Sequence, residues 1–215
     1  MTDETGMPLD GPTHALVVLA AAVAQGEASE IRDRVEEAVA AGVPATWGDE
    51  LMLQSVLMVG WPRTLMAAAL WRKAIGSGAT GGGADLDYAA HAEWTRRGEN
   101  TCRIIYGDNY SRLRDNVRSL HPALDAWMVT EGYGRTLSRP GLDLAHRELC
   151  IVAQTAVLNT PRQLHSHLRG ALLAGASVSS IDATLTAVNA FLSYEDWKSV
   201  KELWEQVQDG WSRLA

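Results

Sequence analysis

The stretches AVAAGVPATWGDE, residues 38–50, and ALLAGASVSSIDA, residues 171–183, share alanine, alanine, glycine and aspartate at matching places. A shift of 133 residues brings one over the other, and it aligns 16–74 with 149–207 without a gap. Only eight positions are identical, so their placement carries the argument. Gly42 and Gly175 sit where a helix should stop and adopt a left-handed cap. Thr46-x-x-Asp49 and Ser179-x-x-Asp182 follow as capping-box-like starts of a next helix. Leu70-Trp71 and Leu203-Trp204 match near the far end. Each copy reads as helix, tight turn, helix, glycine stop, helix, and a fourth helix with a tryptophan near its end. In the second copy the helices fall near 143–158, 161–174, 179–192 and 194–210. Pro161 is a first-turn proline. Alternating strand patterns are nearly absent, so the expected fold class is all-α, with two tandem helical units.

Around this repeat the chain divides into a disordered N-terminus over 1–13, a degenerate N-terminal helical unit over 14–75, a Gly-rich linker over 76–87 and a C-terminal unit over 88–215. The linker run IGSGATGGGADLD, residues 75–87, lacks the Gly-Lys-Ser/Thr and preceding strand of a phosphate loop. Its composition suits a flexible connector. The 215 residues can bury a substantial core. A net charge of -7 disfavours nucleic acid and anionic membrane surfaces. The longest apolar run, ALVVLAAAVA, is about half of a membrane span. Two cysteines, Cys102 and Cys150, form neither a disulfide framework nor a CxxC pair. The expectation is a cytoplasmic protein with no nucleic-acid or membrane partner.

Candidate chemistry lies in TPRQLHSHLRGALLAGAS, residues 160–177. His167 falls on the apolar stripe of Leu164, Leu168, Ala171 and Leu172, whereas His165 shares a polar face with Arg162 and Arg169. Two helical residues two apart do not face one another, so they cannot share a metal, and no other spacing suggests a metal site. The preceding helix has its own stripe at Ala145, Leu149, Val152 and Ala156, and Glu148 lies on that side. The two helices thus bring Glu148 and His167 within reach of contact. From pattern alone the pair is either a self-satisfied buried pair or a proton relay.

The segment from Tyr133 to Ser177 resembles the carboxymuconolactone decarboxylase family of the alkylhydroperoxidase D-like superfamily. The matching features are Arg139-Pro140-Gly141-Leu142, Arg147-Glu148-Leu149 and Gln163-Leu164-x-x-His167-x-x-Gly170-Ala171-Leu172, with Tyr106-Gly107-Asp108 upstream. The resemblance covers about residues 100–210, and it implies a fused two-unit member. Peroxidase members carry a CxxC pair with a glutamate and a histidine. Here the cysteine positions hold Thr160 and Gln163, while the acid/base positions hold Glu148 and His167. Thiol chemistry therefore has no thiolate pair to run on. In the N-terminal copy the histidine position holds Arg34, so that unit is expected to lack the relay and to be structural, with an arginine it could contribute to a neighbouring pocket.

The resemblance implies a cofactor-free lyase acting on a small cyclic or lactone carboxylic acid, by decarboxylation or a related proton transfer such as dehydration, cyclisation or isomerisation. His167 and Glu148 are the candidate catalytic residues. Arg139 either holds a substrate carboxylate or braces its loop, and Trp127 and Tyr133 are candidates for lining the pocket. The competing reading is a non-catalytic binding or scaffolding member. The two separate on whether Glu148 and His167 line an accessible pocket or lie sealed in the core. The family also implies a homo-oligomer, a trimer for a fused pair, with contacts expected through the faces carrying Trp71 and Trp204. The alternative is a monomer with both tryptophans buried internally.

Overall fold

The structure is a computed structural model describing residues 9–76 and 85–213, and among these there is no strand. Most of the expected disordered N-terminus and of the glycine-rich linker lies outside the described residues. The first unit contains α1 (Gly11–Gln25), α2 (Ala28–Ala40) and α3 (Ala45–Ile75). Helix α1 begins earlier than the sequence pattern suggests. Asp10 accepts a hydrogen bond from the Thr13 amide at 2.8 Å, and a proline occupies the first turn. Gly60, at φ 71°, breaks α3 into two arms, and Pro62 follows in the first turn of the second arm, where it costs no hydrogen bond. A short 3₁₀ turn then leads into α4 (His91–Tyr106), α5 (Tyr110–Leu120), α6 (Pro122–Trp127) and a π-helical segment, Met128–Leu137. The second unit contains α7 (Leu144–Val157), α8 (Pro161–Leu173), α9 (Val178–Val188) and α10 (Tyr194–Ser212).

The repeat holds in three dimensions. Gly42 and Gly175 both have positive φ, at 78° and 99°. Both end their helices with the same pair of bonds: Gly42 N–H to Val39 and Val43 N–H to Ala38, Gly175 N–H to Leu172 and Ala176 N–H to Ala171. That is the Schellman closure the glycines announce. Thr13 Oγ1 and His146 Nε2, which are equivalent positions of the two units, meet at 3.0 Å. Two equivalent residues can touch only near an axis relating them, so a local two-fold passes between α1 and α7.

Packing about that axis alters one expectation. Rather than one buried stripe, α7 is buried on every side from Arg147 to Ala156, and α1 from Leu16 to Ala24. A helix buried all round belongs at the centre of a fold, and these two form the middle of one core. Trp71 and Trp204 are also internal, at 1% and 4% exposure. Each indole N–H donates to the equivalent aspartate, Asp49 or Asp182, at the start of the third helix of its own unit. The expected oligomer contact through these two tryptophans is therefore corrected, because both are committed within the chain.

A smaller apolar cluster, Cys102, Ile105, Tyr110, Tyr133, Leu137 and Ile151, joins the segment between the units to α7. It depends on a very close approach of α4 to the π-helical segment. A methyl group at Gly98 would lie 2.0 Å from Val129 O, and one at Gly134 would lie 1.9 Å from Trp94 O. Neither contact can relax without parting the two backbones. Gly98→Ala should therefore destabilise the fold by about 1–3 kcal/mol, as overpacking does, measured by urea unfolding. Gly11→Ala, which meets nothing within 4 Å, serves as the neutral comparison.

Candidate functional site

The two candidate acid/base residues meet. His167 Nδ1 lies 2.8 Å from Glu148 Oε2, with the Glu148 side chain fully buried and His167 retaining 8% exposure. The pair bridges α7 and α8 across the tight turn at Leu158–Thr160. Gly170, one turn after His167, makes room for it. A methyl group there would lie 2.7 Å from Glu148 Oε2 and 2.6 Å from Ile105 Cγ2. Among the described residues, His167 Nε2 has no hydrogen bond, and neither member of the pair lines the clefts of about 570 and 530 Å³.

Glu148 Oε1 is buried and has no hydrogen-bond partner among the described residues. Buried polar atoms are nearly always satisfied, so an orphaned carboxylate oxygen calls for a reason. Three ionisable groups feel the charge of Glu148: Tyr106, Tyr133 and Cys102. Burial, reinforced by this carboxylate, pushes Tyr106 up to about 12 and Tyr133 well above its ordinary value. Burial likewise pushes the Cys102 thiol up to about 12. All three are neutral at physiological pH and keep their protons. The Tyr133 hydroxyl donates to Tyr106 Oη at 3.1 Å, so the proton of Tyr106 stays available to another acceptor. Sequence reasoning placed Tyr133 in the pocket and saw Tyr106 only as part of a motif. The π-helical segment is what brings the two phenols together.

The other candidates are placed differently. Arg139 bonds both oxygens of Glu50 through Nε at 3.1 Å, and Asp85 Oδ2 through Nη1 at 3.2 Å. That arrangement fits the loop-bracing alternative. Trp127 is 64% exposed at the end of α6 and is not part of the buried cluster around Glu148. His165 is half-buried, and burial followed by the nearby Arg169 lowers its pKa.

Arg147, beside Glu148 in sequence, points the other way. It is fully buried, donating to Glu50 Oε2 at 2.8 Å, Gln54 Oε1 at 3.2 Å, Leu142 O at 3.0 Å and Arg139 O at 3.1 Å. These contacts tie α7, α3 and the 138–143 loop into one body. A cleft of about 530 Å³ opens above that loop, with Thr101, Leu137 and Leu144 on its walls. Leu144 lies one turn before Glu148 on α7, and Leu137 belongs with Tyr133 to the smaller apolar cluster. The cleft therefore stops one layer of side chains short of the pair.

A model described as the carboxymuconolactone decarboxylase family covers residues 4–73 and 122–206, well over half the chain. The unmatched stretch between them contains α4 and α5. No curated protein matches the chain.

The cysteines yield a direct test of this environment. Burial pushes the Cys150 thiol, like that of Cys102, up to about 12. At pH 8 each is then a thiolate only about one part in ten thousand of the time. The folded protein should leave both thiols unlabelled by a thiolate-reactive disulfide reagent at pH 8, with both appearing on unfolding in guanidinium. Rapid labelling of Cys102 in the native state would contradict the buried environment described for Glu148.

Proposed function

The chain belongs to the carboxymuconolactone decarboxylase family, and from that premise we propose that it is a lyase in which Glu148 and His167 move a proton on a small cyclic or lactone carboxylic acid. One observation carries the reading: Glu148 is buried with Oε2 on the imidazole and Oε1 bonded to no described residue. Buried carboxylate oxygens are nearly always hydrogen-bonded, so the open Oε1 supports a role for the pair beyond packing.

The proposed division of labour follows from the geometry. Glu148 Oε2 accepts the Nδ1 proton of His167, which fixes the tautomer and leaves Nε2 to take or give a proton. The carboxylate also stabilises the imidazolium that forms while the proton is held. Tyr133 steadies the Tyr106 hydroxyl, whose proton can meet an oxygen of the substrate where negative charge develops. A substrate reaches the pair from the cleft over the 138–143 loop by displacing the layer of Leu137 and Leu144. Arg139, held by Glu50 and Asp85, shapes the loop in this scheme, and a substrate carboxylate would have to compete with both acids for it.

A second reading, a non-catalytic family member, is favoured by the near-complete burial of the pair. Screening a panel of small lactone acids for carbon dioxide release or ring opening separates the two. With a turned-over substrate in hand, His167→Ala should lower kcat by about 10²–10⁴ with the helical content unchanged, and His165→Ala should do much less. Equal, mild effects from the two substitutions would support the binding reading.

Assembly belongs to the same proposal. A homo-oligomer, with a trimer the leading expectation, needs a face other than that of Trp71 and Trp204. The exposed side chains Leu53, Leu57, Trp61 and Leu65 on the two arms of α3 offer one. Light scattering should give about three times the 23.3 kDa chain mass, and Trp61→Glu should shift it toward one chain. A mass of one chain for the parent would refute the trimer.

A further inference from the structure

The two-fold that relates the units predicts a counterpart to the Glu148–His167 site in the N-terminal half. The shift of 133 residues places Ala15 where Glu148 stands and Arg34 where His167 stands. Both of these residues line a cleft of about 570 Å³, within the range of small-molecule sites. Its other walls confirm the equivalence. Gly11, Val18 and Phe191 line the cleft, and their counterparts Leu144, Ile151 and Met58 belong to the cluster packed over α7. The C-terminal copy of this face is filled by Cys102, Ile105, Tyr106 and Tyr133. The N-terminal copy is left open.

We propose that this cleft is a second ligand site, and that it takes a small uncharged molecule with a cyclic apolar body and one carbonyl oxygen. Ala15, Val18 and Phe191 give the apolar wall. The polar end is Arg34, whose Nε holds Glu30 Oε1 at 2.7 Å and whose Nη1 holds Glu37 Oε2 at 2.6 Å. Those two bonds orient the guanidinium. Its Nη2 bonds to no described residue, which leaves donors for an acceptor in the cleft. An anion entering there would meet two carboxylates against one guanidinium, on a chain whose net charge is already -7. A cation could reach only the second oxygens, Glu30 Oε2 and Glu37 Oε1, and would there face the like charge of the Arg34 guanidinium that both acids already hold. A neutral carbonyl accepts from Nη2 without disturbing either pair. This site does not depend on the C-terminal pair being catalytic.

The test uses three probes that share one ring: cyclohexanone, cyclohexanecarboxylate and cyclohexylamine, followed by ligand-observed NMR titration with the full chain. Cyclohexanone should bind best, and should bind the His167→Ala variant as it does the parent. Ala15→Phe, which fills the cleft, and Arg34→Leu, which removes the donors at a half-exposed position, should each weaken it by about tenfold or more. Circular dichroism and thermal unfolding establish that both variants are folded, and Arg34→Leu stands as the test if Ala15→Phe is not. Failure of cyclohexanone to bind, tighter binding of the acid or the amine, or binding that survives Arg34→Leu would overturn the proposal. Loss of binding in His167→Ala alone would move the ligand to the C-terminal site and overturn it as well.

Discussion

The arrangement rests on one buried cation. Arg147 has no exposed surface, and burial lowers its pKa against the pull of Glu50. An unpaired guanidinium in that position would be untenable, and each of its three nitrogens is met, by α3 or by backbone carbonyls of the 138–143 loop. A buried ion pair adds little net stability over an apolar substitute, but removing one partner is costly. Its contribution is therefore geometric. It fixes the rotation of α7 about its own axis, and with that the direction in which the next residue, Glu148, must point.

The first unit has no equivalent clamp. The position of Arg147 is taken there by the exposed His14, and the position of Glu50 is taken in the second unit by Ala183. The charge network is thus confined to one side of the two-fold. It continues through Glu50 to Arg139, and through Arg139 to Asp85, which also binds the Trp94 indole at 2.8 Å and Arg97 at 2.6 Å. One chain of ionic contacts runs from the core helix to the start of the segment that covers Glu148. The covering helices and the covered carboxylate are held by the same network.

What could be read from the sequence was local, or became local through the repeat. The glycine stops at Gly42 and Gly175, the Pro161 start and the paired Asp–Trp positions need only near neighbours or the 133-residue shift to be seen. The meeting of Glu148 with His167 followed from two short helices joined by a tight turn. The full burial of α7 was not legible, because its second covered face includes Arg147, Gln154 and Thr155, polar residues that read as solvent-facing until their partners are placed. The role of Arg139 was left between ligand and brace for the same reason, since Glu50 is 89 residues away. The pairing of Tyr106 with Tyr133 depends on a π-helical segment, for which the sequence carries no comparable signal.

The difference between the two halves turns on a single side chain as well as on the catalytic positions. In the C-terminal half the residue one turn past His167 is Gly170, and only a hydrogen there lets Ile105 come down beside Glu148. The equivalent residue one turn past Arg34 is Glu37, whose carboxylate bonds the guanidinium at 2.6 Å. A side chain of that size and charge forbids an α4-like cover, since no Ile105 could approach past it and the carboxylate could not be desolvated beneath one. Glycine therefore permits a closed, water-poor site in which an acid and an imidazole can interact strongly. Glutamate keeps the other copy open to solvent, where a paired arginine remains soluble and ordered. Divergence at positions 37 and 170 thus reinforces the changes at Ala15 and Arg34 in giving one duplicated helix pair two different environments.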